Sequence, residues 1–532
     1  MRRRLLRALV VVVLLAVAAW GWASVDRCGE WTASPPGLVG IGRAAGPLRV
    51  GAAVVPFVPR YPVTRAGYGP PRSLADRAAL DVAARATVVE VGGQRVALVV
   101  LDTLLVTAGL RAAVREATGV TTWLAATHTH SSLGGYDPRL ASELAALGSY
   151  RADDEAAIVT AVKQAVADAT ARLAPAQLEV ATTETQGLNV ARSGRVVERT
   201  LTRLRFTGRH GPIAQWIVFS AHPALAPRRG DALEPDWPGR LASAQEANGG
   251  PVTLVLQGGG GNASVDRAAA STPEAFATAL AARVAALDAD GSGEGAQNGS
   301  GGASTTDASR GAGATDGSAA DAARGSLAAT DGSRSAGTTD GSQTGAAAAG
   351  ARGVDTADAS RVDATGGSNT GATGSPRAAD ASASAESQFS AAPDARPLAP
   401  AAALELAWAD VAFDLPRPDA TRLAPAPFRA AVDNVLCDDA ERQALLSALR
   451  LGHTTVLLVP VEPSAEAAQV LTEQAGAARV LSLANGYLGY VEPDGVARAG
   501  GGESRKQYFD AGFLQRLAEA ARLAGQAVAP AR

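Results

Sequence analysis

The sequence predicts an α/β fold, a layered domain in which mixed β-sheets are flanked by helices. Two observations favour this class. Apolar runs of strand length alternate along the chain with Ala-rich amphipathic stretches of helix length. Most of the apolar runs lead straight into polar or glycine-rich clusters, and the carboxyl ends of buried strands are where α/β proteins hold their ligands. We therefore expect the functional residues at the strand ends.

The first 25 residues have the pattern of an export signal. Four arginines among the first seven residues precede an uncharged run over residues 8–25, like the basic region and apolar core of a signal peptide. The run is longer than a typical cleaved core and slightly shorter than the ~20 residues that span a bilayer. Residues 1–25 are therefore predicted to be a signal peptide or an N-terminal membrane anchor. In both cases the chain is exported to the periplasmic or extracellular face, anchored or secreted.

Six apolar runs are predicted to be buried strands, because they are short, rich in branched residues and bounded by polar or glycine-rich clusters. They cover residues 95–106, 120–126, 213–220, 252–257, 455–459 and 479–483.

Three stretches have the periodicity and end signals of helices. Residues 153–173 place apolar side chains on one face, begin with acidic residues and stop before a proline. Residues 272–287 open with Thr-Pro-Glu, which supplies an N-cap, a first helical residue and a first-turn acid. The last helix is predicted over residues 513–524.

A long low-complexity stretch divides the folding part of the chain. Residues 288–400 consist largely of Ala, Gly, Ser, Thr and Asp and repeat Thr-Asp-Gly-Ser at irregular spacing. Their large apolar side chains are too few to offset the entropy of ordering the backbone, so disorder is predicted. We interpret the stretch as an insert that leaves residues 46–287 and 401–532 as two parts of one domain.

The charge and the cysteines limit the function. The net charge is only -3 with acids and bases interspersed, so nucleic acid is not an expected partner. Cys28 and Cys437 are the two cysteines, which excludes a cysteine metal site and permits one disulfide without requiring it.

Three of the five histidines follow predicted strands: His128, His130 and His222. In an extended segment residues two apart point to the same side, so His128 and His130 can face one cavity. A His-x-His pair alone is as consistent with surface histidines as with a metal site, and His222 at a second strand end favours the metal.

Glu462 follows another buried strand and is the best carboxylate to complete a catalytic zinc set, although it could be an ordinary loop acid. A glycine-rich cluster at residues 257–264 permits close backbone approach to a ligand or forms a tight turn. The tyrosines of the cluster at residues 485–490 could ligate, donate a hydrogen bond or line the rim of a site.

Taken in order, these clusters resemble the neutral, non-lysosomal ceramidases. Residues 126–131, Ala-Thr-His-Thr-His-Ser, followed by Gly134 and Gly135, resemble the family's Ala-Thr-His-Thr-His-Ser-Gly-Pro-Gly-Gly stretch, which is its most specific motif. Four further similarities are to the family's Asn-x-x-Arg-Ser, second zinc histidine, Gly-Asp-Val-Ser and Pro-Gly-Glu segments. They are carried by Asn189 to Ser193, His222-Pro223, Gly261 to Ser264 and Pro460 to Glu462. Asn485, Tyr487 and Tyr490 resemble its Asn-x-Tyr-x-x-Tyr segment.

The resemblance implies a zinc-dependent amidohydrolase whose catalytic domain spans residues 46–287 and 401–532. It implies hydrolysis of the amide of ceramide or a related lipid-like N-acyl substrate, with a membrane surface as a candidate partner. Carried over by position, the zinc ligands are His128, His222, Glu462 and Tyr490. The implied catalytic residues are His130, Arg192 and Ser264, with Ser264 either a nucleophile or a positioning group.

The motifs also depart from the family's pattern. Ser132 and Leu133 replace Gly-Pro, Asn262 replaces an Asp, and Ala224 and Leu225 replace polar residues after the second histidine. Two alternatives therefore stay open: a zinc esterase or amidase that acts on another envelope or small acylated substrate, and a degenerate envelope protein that binds lipid without catalysis.

Overall fold

The structure is a computed structural model that describes residues 2–291 and 403–530, apart from residues 26–27, 29–30, 32–33, 194, 422, 426–427 and 440–441. The predicted disorder of residues 288–400 lies outside the described residues from residue 292 onward. The described residues belong to one compact unit, to which the chain on both sides of the low-complexity stretch contributes.

Helices and strands alternate along both parts of the chain. The α-helices are α1 (Arg2–Ser24), α2 (Ala108–Thr118), α3 (Leu140–Ser142), α4 (Ala152–Ala171), α5 (Asp236–Glu246), α6 (Pro273–Gly291), α7 (Arg429–Asp439), α8 (Ala465–Ala475), α9 (Asp494–Arg498) and α10 (Phe513–Val528). The strands of the first part are β1 (Gly37–Gly46), β2 (Leu48–Pro56), β3 (Val63–Thr64), β4 (Leu74–Ala75), β5 (Arg77–Ala78), β6 (Ala83–Val91), β7 (Gln94–Leu101), β8 (Thr121–Ala126), β9 (Ala174–Glu184), β10 (Asn189–Ala191), β11 (Thr200–Gly208), β12 (Gly211–Phe219), β13 (Ala232–Leu233), β14 (Val252–Gln257) and β15 (Ala263–Val265). Those of the second part are β16 (Leu404–Asp414), β17 (Gln443–Leu451), β18 (Thr454–Leu458), β19 (Glu462–Pro463), β20 (Arg479–Leu481) and β21 (Tyr490–Val491).

Two mixed sheets organise the fold. The larger has eight strands in the order β14-β12-β11-β9-β2-β6-β7-β8, with β12 parallel to β14, β7 parallel to β8 and the other pairs antiparallel. The smaller has the order β1-β16-β17-β18-β20, in which β18 and β20 are parallel. Apart from β1, every strand of the smaller sheet follows the low-complexity stretch.

The two sheets pack face to face with helices outside them. Trp123 and Trp216 of the larger sheet share one buried cluster with Leu406 and Leu449 of the smaller sheet. Other clusters join α4 and α5 to the outer face of the larger sheet, and α8 and α10 to the smaller sheet. The strands covered on both sides are therefore buried on both faces, which explains why they read as continuous apolar runs.

The predicted class, an α/β fold of mixed sheets and flanking helices, is confirmed. The six predicted strands correspond to β7, β8, β12, β14, β18 and β20, and the three predicted helices to α4, α6 and α10. The first predicted strand ends at Leu101 instead of residue 106, because Asp102 turns to accept hydrogen bonds from Arg85 and from the Ala83 N–H. α6 continues to Gly291, four residues past its predicted end, and Asp288 in its last turn pairs with Arg203 and Arg205.

A disulfide joins Cys28 to Cys437, and so connects the segment after α1 to α7. It is the bond that the two cysteines permitted. Among the residues that the structure describes, no helix is both long and apolar enough to cross a membrane.

Candidate metal centre

Three histidines reach the centre from strands that are far apart in the larger sheet. His128 and His130 follow β8 at one edge, and His222 follows β12, next to the strand at the other edge. Gln257, at the end of β14, bridges the gap: its side-chain amide donates to Thr127 O at 3.2 Å, and its backbone O accepts from Ser482 N at 2.8 Å. The end of the smaller sheet thus helps to bring the strand ends together.

His128 and His130 face the same cavity, but not because the chain is extended. His128 has φ 68°, in the left-handed region that residues with a Cβ seldom adopt. Its N–H donates to Thr103 O at 3.0 Å, and the N–H of His130 donates to Pro223 O at 3.3 Å. The expectation from side-chain alternation was right in its result and wrong in its cause.

The Nε2 atoms of the three imidazoles converge. The His222 Nε2 atom lies 3.1 Å from that of His128 and 3.1 Å from that of His130, and the last two are 3.4 Å apart. Possible ligand atoms of the three side chains all lie within 4.8 Å of one another, close enough to bind a single metal ion.

The Nδ1 atoms of two of the rings form hydrogen bonds with backbone carbonyls. His128 Nδ1 lies 2.7 Å from Leu104 O, and His130 Nδ1 lies 2.8 Å from Gly67 O. Since a carbonyl only accepts, each Nδ1 carries the proton and each Nε2 turns a lone pair toward the centre. Converging lone pairs repel unless a cation lies between them, so these residues fit a bound metal ion.

Burial favours the neutral form of His130 and His222. It is the main cause that lowers the pKa of His130 to about 3, and nearby His128 lowers it further. Burial, and then the positive charge that His128 and His130 can carry, puts the pKa of His222 well below its usual value. Neutral imidazole is the form that binds a metal.

Glu462 supplies a carboxylate to the same place. It is buried, and its Oε2 atom lies 3.2 Å from His128 Nε2 and 3.9 Å from His222 Nδ1. Burial raises its pKa, but the charge that His128 can carry, with a proton then on Nε2, and the hydroxyls of Tyr487 and Tyr490 outweigh this and lower the pKa to about 2. The side chain is therefore an ionised, buried acid in contact with the histidines.

Tyr490 lies beside Glu462 because β19 and β21 pair in parallel, with these two residues opposite each other. Its ring stacks on His222 at 6.5 Å between ring centroids. Two cations approach the same ring: the Arg192 guanidinium carbon at 5.8 Å and Lys506 Nζ at 4.8 Å from the centroid. Burial, followed by Glu462, raises the Tyr490 pKa well above its usual value.

Arg192 and Ser264 enter through the short ladder of β10 and β15. Arg192 follows β10, and its Nε donates to Glu503 Oε1 at 2.9 Å while another guanidinium nitrogen bonds Gly261 O. Ser264, half-buried in β15, lies opposite Val190 and forms an isolated bridge with His222. All seven predicted site residues thus come from separate parts of the chain to one region. His130 is about as close to His128 and His222 as these two are to each other. The geometry therefore does not distinguish a metal-binding histidine from a catalytic one.

Two further tyrosines lie at the centre, one in an arrangement that the sequence left open and one that it did not predict. Tyr487 donates its hydroxyl to Glu462 Oε1 at 2.6 Å. Tyr68 lies with its ring centroid 5.3 Å from that of His130. Tyr487 was visible as the first tyrosine of its motif, but its bond to Glu462 was not. Tyr68 lies in an irregular stretch with no periodic signal.

A large apolar cavity of about 500 Å³ adjoins the centre at Tyr487. Its wall comes from both parts of the chain, including the stretch after α3, α7 and the segment before α10. Among its lining residues are Leu105, Leu144, Val432, Leu436, Tyr487, Tyr508 and Phe509.

Residues 59–199 match the family model for the neutral/alkaline non-lysosomal ceramidase N-terminal region. That range includes His128, His130 and Arg192. The chain is also similar to the crystal structure of neutral ceramidase from Pseudomonas aeruginosa, with 16% identity and a TM-score of 0.57 over 90% of this chain and 75% of that chain. A structure of ceramidase complexed with C2 has 15% identity and a TM-score of 0.58 over the same shares. At these identities the likeness is one of fold. None of the curated proteins compared with the chain matches it.

Proposed function

The chain belongs to the neutral/alkaline non-lysosomal ceramidase family, and we propose that it is a zinc-dependent hydrolase that cleaves the amide bond of ceramide or a related N-acyl lipid. The observation that carries the proposal is the convergence of three imidazoles beside the buried carboxylate of Glu462. The family supports a hydrolase, and the zinc and the substrate are the proposed part. Export, and anchoring or secretion, stay predictions from residues 1–25.

In this proposal His128, His222, Glu462 and Tyr490 hold the metal. When bound, zinc supplies a Lewis acid that polarises the amide carbonyl and lowers the pKa of the attacking water to about 7. The convergence of the three Nε2 atoms also favours a second set, in which His130 replaces Tyr490 as a ligand. The two sets differ in whether His130 is free to move a proton.

The other residues act on the substrate. With Nδ1 protonated against Gly67 O, the Nε2 lone pair of His130 is free to take a proton from the attacking water. His130 then passes this proton to the leaving amine. Arg192 stabilises the negative charge that develops on the carbonyl oxygen. Ser264, in the bridge with His222, either positions the substrate or serves as a nucleophile.

The apolar cavity supports a lipid-like substrate. Tyr487 belongs both to the cavity wall and to the hydrogen bond on Glu462, so the space for an acyl chain begins one side chain away from the acid. Ligand sites of this kind combine an apolar enclosure with a few convergent polar groups.

We expect His128→Ala to lose stoichiometric zinc and amide hydrolysis together, because it removes one of the converging nitrogens. Elemental analysis of the purified full-length protein and a panel of ceramide, N-acyl amino acid and ester substrates check this. His210→Ala, at the exposed turn between β11 and β12, is the matched control and should change neither result.

His130→Ala distinguishes the two sets of ligands. The variant should keep zinc if His130 moves a proton and lose it if His130 is a ligand. Full activity of metal-free protein would rule the proposal out.

A further inference from the structure

A group of arginines lies beside the metal centre and is not used by the proposed reaction. Arg65, Arg72, Arg228 and Arg229 line a small cavity of about 30 Å³ together with Tyr68. We call it the arginine pocket. The pocket is much smaller than the apolar cavity, so it suits one small polar group rather than an acyl chain.

The arginine pocket is next to the chemistry. The Arg228 guanidinium carbon lies 5.0 Å from the centre of the Tyr68 ring, whose other neighbour is the His130 ring at 5.3 Å. Gly67, the residue before Tyr68, accepts the hydrogen bond from His130 Nδ1. A single aromatic ring thus separates Arg228 from the proposed proton donor.

The segment that leaves His222 carries two of these arginines. The N–H groups of Leu225 and Ala226 donate to Asp236 Oδ2 at 2.9 and 2.7 Å, which holds the chain just before Arg228. The departures from the family at Ala224 and Leu225 lie in the same segment. The residues that depart from the family's pattern therefore lie just before Arg228 and Arg229 in the chain.

Part of the positive charge of the pocket has no acid partner within the described part of the chain, although the charges of Glu234 and Asp231 act on Arg65. Arg228 and Arg229 are exposed and form no ion pair with any residue that the structure describes. Of the nearby acids, Asp231 pairs with Arg77 through two hydrogen bonds, and Glu234 pairs with Arg240.

Arg65 adds a buried cation to the pocket. The residue is 5% exposed and donates to Pro227 O at 3.0 Å and Gly230 O at 3.4 Å, two carbonyls that cannot neutralise it. Its Nε, like that of Arg72, is buried without a hydrogen-bond partner. A buried cation whose hydrogen bonds are incomplete is costly, and an anion bound nearby in the pocket would offset that cost through its charge.

We infer that the substrate carries an oxyanion, a carboxylate or a phosphate, on the amine side of its amide, and that the arginine pocket binds it. The inference rests on the proposed function, in which the large apolar cavity takes the acyl chain. Hydrolysis then breaks the C–N bond, the water oxygen stays on the acyl carbon as a carboxylic acid, and a proton goes to the nitrogen of the anionic amine. The amine side of ceramide carries hydroxyl groups and an alkyl chain but no anionic group. A pocket lined in part by a buried arginine can enclose a single anionic group, whereas the anionic surface of a membrane is flat. The geometry therefore favours a substrate group over a membrane as the ligand.

The test compares N-lauroylglycine with its uncharged analogue N-lauroylglycinamide, which has the same acyl chain and scissile amide. We expect the zinc-loaded wild type to have a kcat/KM about tenfold or more higher for the carboxylate, as charge-assisted hydrogen bonds provide. The ratio should fall as salt is raised and approach one in the Arg228→Gln/Arg229→Gln variant. Arg209→Gln, at the exposed turn between β11 and β12, should keep the wild-type ratio. N-lauroyl phosphoethanolamine and its dephosphorylated analogue form the phosphate arm.

Calorimetric binding of the same compounds keeps the inference separate from catalysis. If no amide is hydrolysed but the anionic compounds bind more tightly and lose that advantage in the double variant, the proposed function fails and the anion site stands. If the wild type hydrolyses the anionic and uncharged substrates with equal kcat/KM in both the carboxylate and the phosphate pair, the anion site fails and the proposed function stands. The inference would also be overturned if the double variant no longer sedimented with phosphatidylglycerol vesicles while its ratio of kcat/KM for the anionic and uncharged substrates stayed at the wild-type value. The arginines would then bind a membrane surface.

Discussion

Glu462 is a buried carboxylate whose charge depends on its neighbours. Its two oxygens are shared between His128, at 3.2 Å from Oε2, and Tyr487, whose hydroxyl is 2.6 Å from Oε1. An ionised acid is tolerated in such a place only when hydrogen bonds and opposite charge replace its lost hydration. Tyr487 therefore orients the acid that would bind the metal.

We expect Tyr487→Phe to weaken zinc binding by about 10- to 100-fold, as the loss of a partner that orients a metal ligand does. The variant keeps the ring in the cavity wall and removes only the hydroxyl. Competition with a chromogenic chelator measures the affinity.

Tyr150→Phe is the control for that measurement. The Tyr150 hydroxyl donates to a half-buried acid, Glu155, at 2.8 Å, so the variant removes the same atom at a place away from the centre. Equal zinc affinity in the wild type and in both variants would show that Tyr487 does not position Glu462.

Among the elements, α8 and α10 approach closely at a glycine. A Cβ placed on Gly525 of α10 would lie 2.0 Å from Ala475 O of α8, far inside van der Waals contact with a backbone atom. These two helices pack on the smaller sheet, which carries the strand that leads to Glu462. The glycine sets how close the helices can come.

We expect Gly525→Ala to lower the free energy of unfolding by about 1–3 kcal/mol, because overpacking against backbone outweighs the better helix propensity of alanine. Urea unfolding followed by tryptophan fluorescence measures the change. Gly109→Ala in α2 is the matched control, since its nearest atom is Thr107 Oγ1 at 3.9 Å and its stability should stay the same or rise. A Gly525→Ala protein as stable as the control would contradict the close approach.

For the whole molecule, one disulfide joins the two parts of the chain covalently. The Cys28–Cys437 disulfide joins residues 409 positions apart, and both side chains are buried. Cross-linking such distant residues restricts the unfolded chain. Since the chain has no other cysteine, a reductant acts on this bond alone.

We expect reduction to lower the Tm of the wild type by roughly 5 °C, as the loss of a disulfide worth a few kcal/mol does in a large domain. Differential scanning fluorimetry with and without a phosphine reductant measures it. The Cys28→Ser/Cys437→Ser variant should have the Tm of the reduced wild type, and adding reductant should not change that Tm. Identical melting of the oxidised and reduced wild type would contradict the prediction.

The sequence by itself determined the class of the fold and the chemical groups of the candidate centre. Buried strands of an α/β layer are apolar on both faces, so β8, β12, β14 and β18 stood out as runs, and the polar residues after them stood out as ends. Strands such as β9, with an exposed and a buried face among polar residues, gave a weaker signal and were missed.

Only the tertiary structure decided which strand ends meet. His128 and His222 come from opposite sides of an eight-stranded sheet, and Glu462 comes from beyond the low-complexity stretch. Pattern along a chain carries no information on contacts between such distant residues, and the left-handed turn at His128 depends on backbone partners that form only in the packed molecule. The same holds for the arginine pocket, since the positive charges of Arg65 and Arg228 are separated in the sequence and meet only at Tyr68 in the folded chain.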